Sequence, residues 1–220
     1  MLLTFLRSME FQYFGRERVC ASFIDREVKG KTLNIGAGEV RWLENDIFLG
    51  NPSFVSSDLD PKNLGEKNLA KEKIVANAES LPFKEGEFSQ VIILDVLEHT
   101  KNHHKVVEEL HRVLKKNGRL VISVPNDTYL SYLNPIRYAQ HERHYTIQHI
   151  TSLLKSKGFD IEEVFAGGRI VELMHLYLHL LIKYMTGRVS DVAFLNSMRD
   201  REYSRHRPNG NEVIIKARKI

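Results

Sequence analysis

Two glycines one residue apart, Gly36 and Gly38, end an apolar run that begins at Thr32. Glycine allows backbone conformations that other residues avoid, and the amides of such a turn can donate hydrogen bonds to a ligand. Asp58 stands twenty residues after Gly38, where a carboxylate binds the ribose hydroxyls in a βαβ nucleotide fold. The glycines alone would equally fit an ordinary strand-to-helix turn, but the glycines and the acid together predict a nucleotide site.

Histidines near the ends of later segments could accept a proton, because histidine titrates near neutral pH. His99 follows the apolar run 90–94, and His141 and His144 precede a later helical segment. We name His99 and His144 as candidate catalytic residues. The alternative for each is a surface or hydrogen-bonded structural histidine, since the chain has ten histidines. Asp95, which directly follows the same apolar run, could line the site or could simply cap the helix that follows it.

A sheet must position these residues, and short apolar segments that alternate with helical ones supply its strands. The run 90–94 is continuously apolar, which is typical of a strand buried on both faces of a parallel sheet. Helical spacing is clear at 103–114, before Asn117 and Gly118, and Thr146 can cap the next helix. The alternation predicts an α/β fold with seven strands, at 32–35, 54–57, 73–76, 90–94, 119–124, 160–165 and 213–217.

The N-terminal segment lies outside this alternation. Residues 1–30 predict a helical cover, and residues 31–220 form the main α/β domain. Phe5, Met9 and Tyr13 are candidate buried positions of the cover. We see no signal peptide in it, because it has no basic leader or long apolar core. We therefore expect a cytoplasmic protein.

An apolar helix at 169–185 also stands apart, in an insertion at 169–210 before the last strand. It is too short and too polar for a comfortable membrane span. We expect it to be covered almost all round, by the domain or by a second copy of the chain; a membrane surface or an apolar substrate is the alternative. Its polar residues form one stripe, consisting of Arg169, Glu172, His175, His179 and Lys183.

Composition limits the function classes. The 220 residues are 42% hydrophobic and 27% charged, which suits one globular domain, and the single Cys20 excludes a disulfide framework or a multi-cysteine metal site. We expect no metal. Residues 186–220 hold eight Lys and Arg against four Asp and Glu, which accounts for the whole net charge of +4. This favours a solvated surface or the rim of an anionic-substrate site over nucleic-acid binding.

Five motifs in order between residues 32 and 126 resemble the class I S-adenosylmethionine-dependent methyltransferases, specifically the type 11/23 group: TLNIGAG, FVSSDLDP, ANAESLPF, ILDVLEH and ELHRVLKKNGRLVISVPN. The resemblance implies a Rossmann-like, seven-stranded, mostly parallel sheet with S-adenosylmethionine bound at the carboxyl ends of its strands. It also implies cofactor-binding residues, namely Asn34, Gly36, Ala37, Gly38, Asp58, Leu59, Asn77, Ala78, Leu94 and Asp95.

Each implied residue has a part of the cofactor to contact. The loop 36–38 would bring backbone against the methionine part, because a side chain there would collide with it. Asp58 would accept both ribose hydroxyls, Leu59 would pack on the adenine, and Asn77 with the amide of Ala78 would meet its polar edge. Leu94 and Asp95 would line the amino-acid end.

Asn34 departs from the family pattern, which usually has an acidic residue two positions before the first glycine. An amide can still accept a hydrogen bond, but it supplies no charge, so we expect weaker cofactor affinity. The family's third glycine is replaced by Val40, and the short segment 39–52 predicts a shortened first helix.

The function implied is methyl transfer to a small-molecule acceptor, achieved mainly by proximity and orientation, and we expect transfer to oxygen, with nitrogen and carbon as alternatives. Tyr129, Tyr132 and Arg137 would line the acceptor pocket, and the apolar helix with the basic tail suggests a lipid-linked or phosphorylated acceptor. Two alternatives remain. One is an NAD-type Rossmann oxidoreductase, and the other is a non-catalytic cofactor-binding domain that docks a partner or a membrane surface.

Overall fold

Seven strands form one sheet in the computed structural model, which describes residues 15–38, 42–134, 143–186 and 195–220. The strands lie in the order β3-β2-β1-β4-β5-β7-β6, and only β7 is antiparallel to its neighbours. Both findings confirm the predicted Rossmann-like, mostly parallel sheet. The bounds are β1 Lys31–Ile35, β2 Phe54–Asp58, β3 Glu72–Val75, β4 Phe88–Leu94, β5 Leu114–Pro125, β6 Phe159–Gly167 and β7 Glu212–Lys219.

Helices cover both faces of this sheet. The α-helices are α1 Arg16–Phe23, α2 His103–Val113, α3 Ile147–Ser156, α4 Ile170–Thr186 and α5 Asn196–Glu202. A short π-helix at Leu43–Ile47 and single 3-10 turns at Pro61–Leu64, Leu97–His99 and Ser131–Leu133 complete the elements. The π-helix is the shortened first helix that the sequence predicts.

Local signals in the sequence explain where the helices begin and end. The Thr146 side chain accepts a hydrogen bond from the backbone N–H of His149, which makes it the N-cap of α3 as predicted. Gly158 follows α3 at a φ of 85°, a backbone region that favours glycine. Of the predicted N-terminal cover, only α1 falls within the described residues, and Phe5, Met9 and Tyr13 lie outside them.

The core forms two layers around the central strand β4. Val91 and Ile93 face α2 and α3, whereas Ile92 faces α1 and the π-helix, and all three are fully buried. Burial on both faces explains why this strand is continuously apolar. β4 is therefore packed against helices on both faces, and Asp95 directly follows its carboxyl end.

Helix α4 leaves much of its apolar surface exposed within the described residues. Cover by the rest of the domain or by a second copy of the chain stays a prediction. The outward side chains of α4 are at least half exposed, and they include Ile170, Met174, Tyr177, Leu181 and Tyr184. Polar contacts hold the helix to the body at its first turn, where Arg199 pairs with Glu172, and further along, where the Tyr177 hydroxyl donates to the Leu133 carbonyl at 2.6 Å. Within the described part of the chain, no helix is long and apolar enough to span a membrane.

Candidate active site

The loop after β1 and the end of β2 form one hydrogen-bonded unit, because the carboxyl ends of adjacent parallel strands meet at the same edge of the sheet. The N–H groups of Gly36 and Ala37 donate to the Ser57 carbonyl at 2.8 and 3.0 Å. Asp58 accepts the Gly38 N–H on Oδ2 at 2.9 Å and the Asp60 N–H on Oδ1 at 2.8 Å. The carboxylate is thus fixed against the glycine loop, and each of its oxygens retains a second lone pair.

A cleft of about 480 Å³ opens beside this unit, at the carboxyl ends of β1 to β4. A volume of this size suits a ligand as large as a nucleoside with an attached chain. The cleft brings together eight of the residues named from sequence: Gly36, Gly38, Asp58, Leu59, Asn77, Ala78, Asp95 and His99. Its described lining does not include Asn34, Ala37, Leu94 or His144.

The two glycines of the loop are required for different physical reasons. Gly36 has a φ of 79°, and a Cβ there would lie 2.2 Å from Cγ2 of Val96. The obstacle that the structure shows at Gly36 is thus a protein side chain, and contact of the loop with the methionine part of the cofactor stays a prediction. Gly38 has a φ of 60°, and a Cβ there would meet no atom nearer than the Gly36 carbonyl oxygen at 4.0 Å, so this glycine leaves space in the cleft.

Asn34 lies beneath the loop in a buried polar network. Its Nδ2 donates to Oε1 of Glu44 at 2.6 Å, and the Ser56 hydroxyl donates to the same oxygen at 2.8 Å. Asn68 in turn donates to the Ser56 hydroxyl at 3.1 Å. Asn34 itself carries no charge, as its residue type requires. The carboxylate of Glu44, which the π-helix places directly against it, could not be anticipated from the sequence.

The adenine side of the cleft, as the resemblance assigns it, combines an exposed apolar side chain with a braced loop. Leu59 is 69% exposed, which leaves its surface available to a flat ring. The loop that carries Asn77 and Ala78 continues to Leu81, whose N–H donates to Oε2 of Glu109 at 2.7 Å. Glu109 lies on α2 outside the cleft, so it supports the loop without lining the site.

Asp95 joins the cleft to a second cavity. It is a non-glycine residue at a φ of 54°, its Oδ1 accepts the Ser123 hydroxyl at 2.8 Å, and its Oδ2 pairs with Arg16 on α1. It caps no helix, because the 3-10 turn that follows has no side-chain cap. Burial disfavours the charge of Arg16, but Glu212 and Glu17 outweigh this and raise its pKa above the usual range.

The second cavity has a volume of about 230 Å³ and lies between α1, α4 and the start of β7. Arg16 in its lining pairs with Asp95 of the first cleft. The wall contains three carboxylates, from Glu17, Glu172 and Glu212. Arg199, beneath this wall, hydrogen-bonds both oxygens of Glu172 at 3.0 and 3.2 Å.

The candidate histidines are separated by the fold. His99 lines the large cleft, whereas His144 packs against Tyr132, with ring centroids 4.4 Å apart. His103 lies elsewhere against Tyr145, and burial together with the Arg143 guanidinium lowers its pKa to about 4. His141 and Arg137 lie outside the described residues. Among the described residues, no three His, Cys, Asp or Glu side chains form a group able to hold a metal.

Comparison with known proteins gives one family for the central segment. Residues 33–122 match the model of a family described as a methyltransferase domain. This match spans β1 to β5 and therefore includes the whole large cleft. The chain is 30% identical over 138 residues to an uncharacterised protein of Methanocaldococcus jannaschii, covering 60% of this chain and 65% of that protein.

A second relative and a solved structure agree with this match. A probable S-adenosylmethionine-dependent methyltransferase of Mycolicibacterium smegmatis is 31% identical over 105 residues, covering 44% of this chain and 39% of that protein. The crystal structure of an S-adenosylmethionine-dependent methyltransferase from Mesorhizobium loti superposes with a TM-score of 0.64 at 15% identity, covering 92% and 96% of the two chains. The chain thus spans less than two thirds of the length of either relative, and the structural likeness establishes the fold.

Proposed function

We propose that this chain, which carries a class I S-adenosylmethionine-dependent methyltransferase domain of the type 11 group, transfers a methyl group from S-adenosylmethionine to a small-molecule acceptor. The family, the fold and the cofactor are those predicted from the sequence, and the comparisons confirm all three. The NAD-type oxidoreductase alternative is therefore set aside. The observation that carries the proposal is the single cleft that collects the loop 36–38, Asp58, Asn77 and Asp95.

The residues of this cleft fit the cofactor. Gly38 leaves space for the methionine part, and Asp58 offers lone pairs for the two ribose hydroxyls. Leu59 would pack on the adenine ring, and Asn77 and Ala78 would meet its polar edge. We retain Asn34, Ala37 and Leu94 as residues that shape the cleft from behind, since all three lie beside its lining and none belongs to it.

S-adenosylmethionine supplies a methyl group that its sulfonium already activates, so the protein chiefly has to align the acceptor and exclude water. The second cavity is the place we propose for the acceptor, because Arg16 in its wall pairs with Asp95 in the wall of the cofactor cleft. The fixed pair would set the distance between the two ligands. His99, which lines the cofactor cleft, would take a proton where the acceptor has one to lose.

The charge around the second cavity favours a nitrogen acceptor as the second candidate beside the oxygen acceptor predicted from sequence. Glu17, Glu172 and Glu212 line it, and its own cation Arg16 is already paired with Asp95. Carboxylates attract a protonated amine and repel a phosphate. Loss of the amine proton would then precede the transfer, with His99 or solvent as the acceptor of that proton.

Calorimetric titration with S-adenosylhomocysteine tests the cofactor site. We expect the wild type to bind and Asp58→Ala to weaken binding at least tenfold, because it removes the ribose acceptor and the anchor of Gly38. Asp60→Ala is the matched control, since this neighbouring carboxylate caps a turn outside the cleft. Equal affinity for the wild type and Asp58→Ala would refute the assignment.

Transfer of a labelled methyl group to paired alcohols and amines of equal size tests the acceptor. Label in the amines that falls on Glu172→Gln supports the nitrogen candidate, and label in the alcohols supports the oxygen prediction. Cofactor binding without label in either series would favour the non-catalytic alternative.

A further inference from the structure

We propose that a groove at the start of α4 binds a phosphate group carried on an apolar body, independently of the methyl transfer. The groove has a volume of about 310 Å³ and lies beyond the second cavity, beside the outermost strand β6. Its lining contains three arginines, Arg169, Arg201 and Arg207, together with the apolar side chains of Ile170, Val171 and Met198 and the carboxylate of Glu202.

The three guanidinium groups have no carboxylate partner among the described residues, whereas six of the nine other described arginines do. The Nε of Arg169 is buried without a hydrogen-bond partner. The arginines that do pair are Arg16, Arg18, Arg112, Arg119, Arg199 and Arg218. Three like charges around one groove repel each other, so a bound anion would relieve both this repulsion and the unmet donor.

Among the described residues that line the groove, Glu202 is the one carboxylate, and it bonds backbone N–H groups. Glu202 accepts the backbone N–H groups of Arg169, Val171 and Glu172, at 2.8, 2.9 and 3.1 Å. These are the first amides of α4, which have no partner inside the helix. Because Glu202 caps the helix, its charge is directed to the backbone and leaves the guanidinium groups for a ligand.

Hydrogen bonds from β6 and from Asn211 hold the backbone segments that carry the arginines of the groove. The N–H of Arg207 donates to the Ala166 carbonyl at 2.8 Å, and the Ala166 N–H donates to Nδ1 of His206 at 3.0 Å. The Arg169 carbonyl accepts the Asn211 side-chain amide at 3.0 Å. Hydrogen bonds thus hold the backbone at Arg169 and at Arg207, and the planar guanidinium groups that extend from it suit the oxygens of a phosphate.

The apolar part of the ligand follows from the floor of the groove. Ile170 is 56% exposed and Met198 is 44% exposed, and both lie beside the arginines. A free phosphate ion would cover neither of them. An alkyl or prenyl chain attached to the phosphate would remove this apolar surface from water, which strengthens binding in proportion to the area covered.

Titration calorimetry on the full chain with three probes tests the proposal: n-octyl phosphate, inorganic phosphate and n-octanol. We expect octyl phosphate to bind most tightly, and Arg169→Gln and Arg207→Gln each to weaken it about tenfold, the loss typical of one charged hydrogen-bonding partner. Met198→Ser should weaken octyl phosphate and leave inorganic phosphate unchanged. Arg207 is exposed, so Arg207→Gln keeps the test available if Arg169→Gln fails to fold.

Arg26→Gln is the matched control, because Arg26 is exposed, has no ion-pair partner among the described residues and does not line the groove. Equal weakening by Arg26→Gln would overturn the proposal in favour of unspecific attraction to a basic protein. Equal affinity for octyl phosphate and inorganic phosphate, or no binding of either, would also overturn it. Affinity for S-adenosylhomocysteine should be the same in all these variants, so the groove and the cofactor site can fail separately.

Discussion

Asn34 Nδ2 and Glu44 Oε1 lie 2.6 Å apart in a network from which solvent is almost excluded. The family pattern has an acidic residue at the position of Asn34, and this chain has instead an amide at that position with a carboxylate ten residues later. The polar pair occupies the space between β1 and the π-helix. In this chain the carboxylate beneath the glycine loop is therefore supplied by the π-helix and not by β1.

We predict that Asn34→Asp, which restores the usual family residue, destabilises this protein. Two buried carboxylates would face each other at hydrogen-bonding distance, and a buried charge without a compensating partner costs about 3 kcal/mol or more. The double variant Asn34→Asp with Glu44→Gln exchanges the charge and the amide, so it should regain most of the loss. Urea unfolding of the wild type, both single variants and the double variant measures this coupling.

If Asn34→Asp were as stable as the wild type, or the double variant no better than Asn34→Asp, the pair would not be coupled. The exchange has a further use, because affinity for S-adenosylhomocysteine in the double variant reports whether the position of the charge matters to the cofactor.

Gly36→Ala should be destabilising for two separable reasons. Its φ of 79° is unfavourable for alanine, and the new Cβ would lie 2.2 Å from Val96. We expect a loss of about 2 kcal/mol or more in the free energy of unfolding. Adding Val96→Ala should recover the part that comes from the collision. Gly86→Ala is the control for the backbone part alone, because Gly86 has a φ of 62° and its Cβ would meet only Lys115 at 4.0 Å.

The fold could be predicted from this sequence because its strands carry strong local signals. β4 is apolar throughout, and Thr146 and Gly158 mark both ends of α3. The residues of the large cleft could be named for a similar reason: each follows the end of a strand, and the carboxyl ends of parallel strands must meet at one edge.

Residues that support the site from elsewhere could not be predicted. Glu44 and Glu109 each lie on a helix and look like ordinary surface acids in the sequence, yet both are buried and hydrogen-bonded. Their partners are brought to them by tertiary packing at separations of 10 and 28 residues. What covers the apolar faces of α4 could not be predicted either, because periodicity shows that a face is apolar and not what covers it.

His103 should make stability depend on pH between 6.5 and 4. Its pKa falls from 6.5 to about 4 in the folded protein, because burial and Arg143 disfavour the charged ring. The unfolded chain therefore binds a proton first as the pH falls, so the contribution of His103 is complete above 6.5 and decreases towards 4. The difference in unfolding free energy between wild type and His103→Gln should shrink from pH 7.5 to pH 4.5. A constant difference would contradict this.

Glu109 should affect cofactor affinity although it does not line the cleft. Its carboxylate accepts the N–H of Leu81 at 2.7 Å and pairs with Arg112, whose guanidinium also donates to the Leu81 and Phe83 carbonyls. Glu109→Ala leaves a buried N–H without a partner, which costs about 1–3 kcal/mol, and releases the end of the loop that carries Asn77. Affinity for S-adenosylhomocysteine should fall several-fold.

The control for this prediction is Glu108→Ala, one residue earlier on α2. Glu108 is exposed and pairs with Lys157 on the surface, so its removal should change neither stability nor affinity appreciably. Titration calorimetry of both variants separates the two cases, since a general loss of helix α2 would appear in each. Equal affinity for Glu109→Ala and wild type would mean that the loop is held by Arg112 alone, because the two carbonyls would still be bound.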